Sequence, residues 1–215
     1  MINSSFFKNK KILVLAPHTD DGELGLGGTL TKIIRMGGDV TYAAFSTAEE
    51  SVPEGFPKDI LKTEVKAATN VLGVKPENLK IFNYKVRKLN YSRQKILEDL
   101  ILLRKEKDYD CIFIPSLHDI HQDHTTVAQE AVRAFKNKTI LGYELIWNNL
   151  SFNTQCFVKL DREDIENKYR ALQEYHSQGT RNYLSEEFIF SLARARGVQI
   201  GCEYAECFEV VRLFL

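Results

Sequence analysis

The sequence predicts an α/β fold with a doubly wound, mostly parallel sheet. Three observations predict it. Short apolar runs alternate with amphipathic helical patterns along the chain, which is the signature of strand–helix–strand units. Two of the runs, Ile12 to Leu15 and Cys111 to Pro115, lead into a proline, at Pro17 and at Pro115 itself, that cannot continue a ladder. A polar loop rich in His and Asp follows each of those two, just outside the carboxyl end of a strand, where open α/β sheets place their chemistry. The expected architecture is therefore Rossmann-like, one domain over residues 1–215, with a C-terminal helical elaboration.

Taken in order, Ile12 to Leu15 is the first strand, and Leu30, Ile33 and Ile34 mark a helix that Gly37-Gly38 stops. Residues 39–47 form a second strand. Leu61, Val65, Ala68 and Leu72 line one face of the next helix, with Gly73 after it. Leu79 to Tyr84 is a third strand. Ser92 caps a helix to about Lys107, whose Ile96, Leu97, Leu100 and Ile101 face inward. Cys111 to Pro115 is the fourth strand, and Val127, Ala128, Ala131, Val132 and Phe135 mark the helix after it. Residues 139–145 form a fifth strand. A polar stretch then leads to two helices, Asp161 to His176 and Ser185 to Arg196, with Gly197 closing the second. A last strand runs from about Ala205 to Phe214.

Composition narrows the function. Lys+Arg and Asp+Glu both number 29, so no net charge favours nucleic acid or an acidic membrane surface. MINSSFFKNKK has no apolar signal region, and no run approaches the ~18 apolar residues of a membrane span. The expected location is cytoplasmic. Cys111, Cys156, Cys202 and Cys207 form no CxxC pair and read as reduced thiols, Cys111 in the core.

Four of the five histidines, His18, His118, His121 and His124, follow the first and fourth strands. In a strand order 3-2-1-4-5 those strands are neighbours, and both loops meet at the topological switch point. His18 and Asp21, three apart, share one side of a turn, and His124 could supply a third ligand. Three N/O ligands with one open position is the pattern of a catalytic zinc site, which acidifies water and polarises a carbonyl. Asp20 points away from its neighbour Asp21 and is placed as a general base. His121 could donate to an oxyanion, and Asp123 could orient a neighbouring imidazole.

Plainer readings stand beside these. Asp21 and Glu23 could serve a helix N-terminus by charge, and Asp123 could cap a helix starting at His124. His118 reads as a loop residue, and His176 as packed beside Tyr169 and Leu172. Gly25, Gly27 and Gly28 invite a nucleotide-binding reading, but LGLGGT is not GxGxxG, and close helix–strand packing accounts for them.

The stretch Pro17-His18-Thr19-Asp20-Asp21-Gly22-Glu23, continuing to Gly27-Gly28-Thr29, resembles the (A/P)HPDDE…GGT signature of the LmbE-like (PIG-L) deacetylases. His121-Gln122-Asp123-His124 is similar to that family's HxDH element. Tyr175-His176-Ser177-Gln178 resembles its YxSQ segment, and Arg196-Gly197 through Gly201, Tyr204-Ala205-Glu206 and Phe208 its RGxxxGxxYAExF segment. The resemblance implies a zinc-dependent N-deacetylase that removes acetate from an N-acetylglucosamine-type sugar conjugate. It assigns His18, Asp21 and His124 as zinc ligands, Asp20 as base, His121 to the oxyanion or leaving amine, and Asp123 as the acid supporting a histidine. Thr19 replaces the usual proline, and Gly22 stands where many members have Glu, with the acid displaced to Glu23.

The expected cofactor is zinc, another divalent metal being compatible with the same ligands. The expected partner is a small-molecule N-acetyl amino sugar conjugate, with no nucleic acid and no membrane span; a homo-oligomer is left open. The alternatives are a Rossmann-like nucleotide- or phosphate-binding module, and a carbohydrate-binding relative without turnover. Stoichiometric zinc at the first loop separates the enzyme from the nucleotide module.

Overall fold

The computed structural model describes residues 6–214. In chain order its elements are β1 (Lys11–His18), α1 (Asp21–Arg35), β2 (Asp39–Ser46), α2 (Ile60–Leu72), β3 (Leu79–Ile81), α3 (Arg93–Glu106), β4 (Cys111–Pro115), α4 (Gln122–Ala134), β5 (Thr139–Tyr143), β6 (Cys156–Leu160), α5 (Arg162–Gln173), α6 (Glu186–Val198) and β7 (Tyr204–Arg212). The sheet order is β3-β2-β1-β4-β5-β7-β6. The first five strands are parallel, as the alternation of strand and helix requires.

The C-terminal part departs from expectation. It contributes two strands as well as helices, because β7 runs antiparallel between β5 and β6 and widens the sheet. The strand at Cys156–Leu160 was hidden by its shortness and its setting. It has five residues, with Lys159 breaking the apolar run, and it follows the polar stretch 148–155.

Both sheet faces are covered. Ile12, Val14 and Ala16 of β1 pack into a core shared with α1, α2, α5 and α6. Leu13 and Leu15 point the other way, into a core shared with α3 and α4. β1 continues through Pro17 to His18, further than expected. Its pairing with β4 stops at Val14, so Pro17 sits where the strand has a free edge on that side and its missing donor costs nothing. Among the described residues no helix is long and apolar enough to cross a membrane.

The helix after β1 starts earlier than its apolar spacing suggests. α1 begins at Asp21 and includes the glycines, with a kink at Leu26 (φ −150°, ψ 22°). A Cβ on Gly28 would lie 2.7 Å from Leu160 of β6, so the glycine permits the close packing expected of it. The kink leaves backbone groups without helical partners. Glu206 of β7 accepts from the Gly28 N–H (3.1 Å) and the Thr29 N–H (2.7 Å). Lys168 of α5 donates to the Leu24 carbonyl (2.6 Å) and to Glu206 (2.7 Å). The acid of the C-terminal signature therefore splints the helix that begins at the two aspartates.

Lys168 and Glu206 are each only 7% exposed at the side chain. Removing one partner of a buried pair strands the other charge and costs about 3–5 kcal/mol. Lys168→Met is expected to lower the urea unfolding free energy by about 3 kcal/mol, with Lys168→Met/Glu206→Gln recovering part of the loss. An unchanged midpoint in the single variant would show that the splint contributes no stability.

Two helix ends differ from the reading of the sequence. α5 stops at Gln173, so His176 lies in a following 3₁₀ turn and is exposed instead of packed. α6 runs through Gly197 to Val198. A Cβ on Gly197 would meet the Cys202 carbonyl at 2.7 Å, so the glycine admits the approaching chain instead of ending the helix.

Candidate functional site

β1 and β4 pair in register, Ile12 with Cys111 and Val14 with Phe113, so the loops beyond them open at the same sheet edge. That edge is the switch point where the chain reverses its direction of travel across the sheet. β1 delivers His18, the N-terminus of α1 delivers Asp20 and Asp21, and the N-terminus of α4 delivers His121, Asp123 and His124. All six residues singled out in the two loops converge here.

His18 Nδ1 lies 3.1 Å from His124 Nε2, and Asp21 Oδ2 lies 3.3 Å from each of them. Donors bound at the usual zinc distances to one tetrahedral ion stand roughly 3.3 Å apart. The triangle therefore fits a metal, and its atoms are the right chemical type. The far side of each imidazole is held by a carboxylate: His18 Nε2 by Asp123 (3.0 Å), and His124 Nδ1 by Asp119 (2.7 Å). This is the outer arrangement that fixes the tautomer of a ligating histidine.

Electrostatics follow from the crowding. Burial opposes charge on His18, yet Asp21 and Asp123 carry its pKa up to about 9. Burial likewise opposes charge on His124, and Asp21 with Asp119 carries it up to about 10. Burial would raise Asp21, but the two imidazoles hold it far below the usual carboxylate range. Burial and the neighbouring Asp21 push Asp20 up to about 6. As the N-cap residue of α1, Asp20 makes no side-chain capping bond, and it lines the cleft.

His121 is the N-cap of α4, and its Nδ1 accepts the Asp123 N–H (3.2 Å). A ring whose Nδ1 lone pair is used this way carries its proton on Nε2 when neutral. Burial beside His124 and His18 pulls its pKa down to about 4, so it is neutral near pH 7. One atom each of His18, His121 and His124 also fall within 4.8 Å of one another, a second grouping that could hold a metal. The capping bond favours His121 as a donor over a ligand, because ligation through Nε2 would need the proton moved to Nδ1, against an N–H.

Asp123 does not cap α4, which starts at Gln122. Its carboxylate instead gathers His18, the Arg87 N–H (2.6 Å) and the Leu89 N–H (3.2 Å), and the His18 and Arg87 bonds hold its pKa down against burial. Arg87 sits at φ +63°, in the left-handed region. Asp123 thus supports the histidine from the other loop. Glu23 is buried against the hydroxyls of Tyr42 and Tyr175, and burial pushes its pKa up to about 8. Both tyrosines also reach the Thr19 carbonyl, at 2.9 and 2.7 Å, which pins the peptide between His18 and Asp20. His118 stays outside the cluster, half-exposed and 3.9 Å from Glu209.

Reading the sequence missed Asp119. The rule that a ligating imidazole needs a carboxylate behind it could have found it, five residues before His124. It also missed the walls of the cleft, which encloses ≈ 290 Å³ and is lined by Trp147, Tyr183, Gln178, Arg87 and Arg181 among others. These come from three separate connections, Arg87 after β3, Trp147 after β5, and Gln178, Arg181 and Tyr183 between α5 and α6, and no local pattern links the three. Trp147 and Tyr183 stack with centroids 4.2 Å apart and planes at 11°.

With this geometry in place, the comparisons with known proteins are informative. The PIG-L family pattern, described as GlcNAc-PI de-N-acetylase, matches residues 13–135. The chain is 28% identical over 178 residues to the uncharacterized deacetylase YaiS of Escherichia coli (strain K12), covering 81% of this chain and 95% of that protein. It is 25% identical to the diacetylchitobiose deacetylase of Thermococcus kodakarensis, over 95% of this chain and 84% of that protein. In three dimensions it is similar to the N,N'-diacetylchitobiose deacetylase from Pyrococcus horikoshii, with a TM-score of 0.80, 25% identity, and 98% and 87% of the two chains covered. The family match spans more than half of the chain and contains both loops of the histidine–aspartate cluster, and the chain belongs to the PIG-L deacetylase family.

Proposed function

We infer that the chain is a zinc-dependent N-deacetylase that releases acetate and a free amine from an N-acetylglucosamine-type sugar conjugate. The observation that carries this reading is the triangle of His18 Nδ1, His124 Nε2 and Asp21 Oδ2, spaced as a tetrahedral metal would hold them and open to a cleft of ≈ 290 Å³. The names of the relatives supply the acetylated sugar as the substrate class. Zinc held by His18, Asp21 and His124 would polarise the acetyl carbonyl and acidify the attacking water.

The remaining steps belong to the protein. Asp20 takes the proton of the water as it adds to the acetyl carbon. His121, which lines the cleft and when neutral carries its proton on Nε2, donates to the carbonyl oxygen as negative charge gathers there. Asp123 and Asp119 keep the imidazoles of His18 and His124 in the orientation that presents the inner nitrogens. Asp20 then returns the proton to the departing nitrogen. The stacked Trp147 and Tyr183 rings offer an apolar wall suited to the flat face of a pyranose. A phosphate-binding module is disfavoured because LGLGGT is not GxGxxG and the N-terminus of α1, where a phosphate would sit, carries Asp20 and Asp21.

The test is metal content together with amine release. Purified protein is expected to hold one zinc by elemental analysis and to release free amine from a panel of N-acetylglucosamine conjugates. Alanine at His18, Asp21 or His124 is expected to remove both. The imidazoles hold protons up to about 9 and 10 without metal, so zinc competes with protons and binds more tightly as pH rises towards those values. Full zinc occupancy in all three variants would overturn the ligand set, and no amine release from any conjugate would overturn the activity.

A further inference from the structure

The turn that follows α5 carries Tyr175, Ser177 and Gln178, none of which has a role in the steps above. Tyr175 ties the turn to the Thr19 carbonyl at 2.7 Å. Ser177 ties it to α2, where both oxygens of Glu64 are used: Oε1 accepts the Ser177 N–H (2.8 Å) and Oε2 accepts the Ser177 hydroxyl (2.6 Å). Glu64, Ser177 and Gln178 are 3%, 4% and 8% exposed.

A serine hydroxyl has one proton, and here it goes to the Glu64 carboxylate. Ser177 Oγ can then only accept, and the group 3.1 Å away on Gln178 is its NH₂. The relay from Glu64 through Ser177 thereby decides which way the amide of Gln178 faces. Among the described residues no donor reaches its carbonyl oxygen Oε1, and Gln178 lines the cleft that contains His18, Asp20 and His121. That oxygen is not sealed from solvent, so a ligand in the cleft can supply the donor that the protein does not.

We propose that Gln178 is a specificity-determining residue whose amide oxygen accepts a hydrogen bond from a ring hydroxyl of the bound sugar, with Ser177 and Glu64 as positioning residues that fix the amide's orientation. This rests on the sugar substrate of the preceding reading. It adds an acceptor on the wall of the cleft, apart from the reacting groups. A site built to accept a hydroxyl rejects the analogue that lacks it.

The probe is methyl glucosaminide, which carries the ring hydroxyls but no acetyl group to hydrolyse, together with its monodeoxy analogues. Binding is measured by calorimetry on the purified enzyme. In wild type, one monodeoxy analogue is expected to bind roughly tenfold more weakly than the parent. Gln178→Ala is expected to weaken the parent by a similar factor and to abolish the penalty for that one analogue. Ser177→Ala should retain part of the penalty, and Ser177→Thr, which keeps the hydroxyl, should restore it.

Equal binding of every monodeoxy analogue to wild type overturns the proposal without any variant, so a misfolded mutant cannot rescue it. Gln178→Ala binding all analogues as wild type does also overturns it. Ser177→Ala indistinguishable from wild type removes the relay. Failure of wild type to release amine from any N-acetylglucosamine conjugate is a separate result: it removes the deacetylase reading, whereas sugar binding reports on Gln178.

Discussion

Asp20→Asn is expected to keep its zinc and lose about 10² to 10⁴ in turnover, the usual worth of a positioned general base. Asn preserves the shape and the cleft-facing position of Asp20 but cannot accept a proton. Asp20 is separable from Asp21 on structural grounds. Asp21 Oδ2 is engaged by the His18 N–H (2.8 Å) and by both imidazoles, while Asp20 holds the N-cap position of α1 without a side-chain capping bond. Burial and the adjacent Asp21 place the Asp20 pKa at about 6 in the metal-free protein, and a bound cation would lower it. The base must be ionised to work, so turnover falls as pH drops through that pKa, and this acidic limb should vanish in the Asn variant. The measurement is a pH–rate profile on zinc-replete protein. Near-normal turnover in that variant would remove Asp20 from the mechanism.

His121→Ala is expected to lower turnover by about 10²- to 10³-fold with zinc still bound, the loss associated with one oxyanion donor. Its capping role predicts a second, smaller effect. The Asp123 N–H loses its acceptor, and cap removal costs about 1 kcal/mol of stability. The two effects separate by measurement, since KM should move little and the unfolding midpoint slightly while kcat collapses. Loss of zinc in His121→Ala would assign that imidazole to the metal, in the grouping of His18, His121 and His124.

Most of what the sequence reveals lies in runs short enough to be local. The apolar strands, the loops after the first and fourth of them, and the order 3-2-1-4-5 all follow from periodicity and right-handed connection. The cluster of His18, Asp20, Asp21, His121 and His124 was legible for the same reason: polar residues at the ends of two neighbouring strands have to meet. The strand at Cys156–Leu160 was not, because it is only five residues long, is broken by Lys159, and pairs with β7 some fifty residues further along the chain. The packed place expected for His176 failed because helical spacing continues past Gln173 in the sequence, whereas the structure turns there to anchor Tyr175 and Ser177.

The sequence by itself determined the five parallel strands, the two polar loops at their carboxyl ends and the types of group those loops carry. Tertiary structure alone decided the pairings. Asp123 serves His18 across a separation of 105 residues, Asp119 serves His124, Glu206 splints α1, and Glu64 aims Gln178 through Ser177. The physical reason is that a hydrogen bond is satisfied by proximity and direction in space. A carboxylate in a polar loop has several partners of equal merit along the chain, and only the folded geometry leaves it with one.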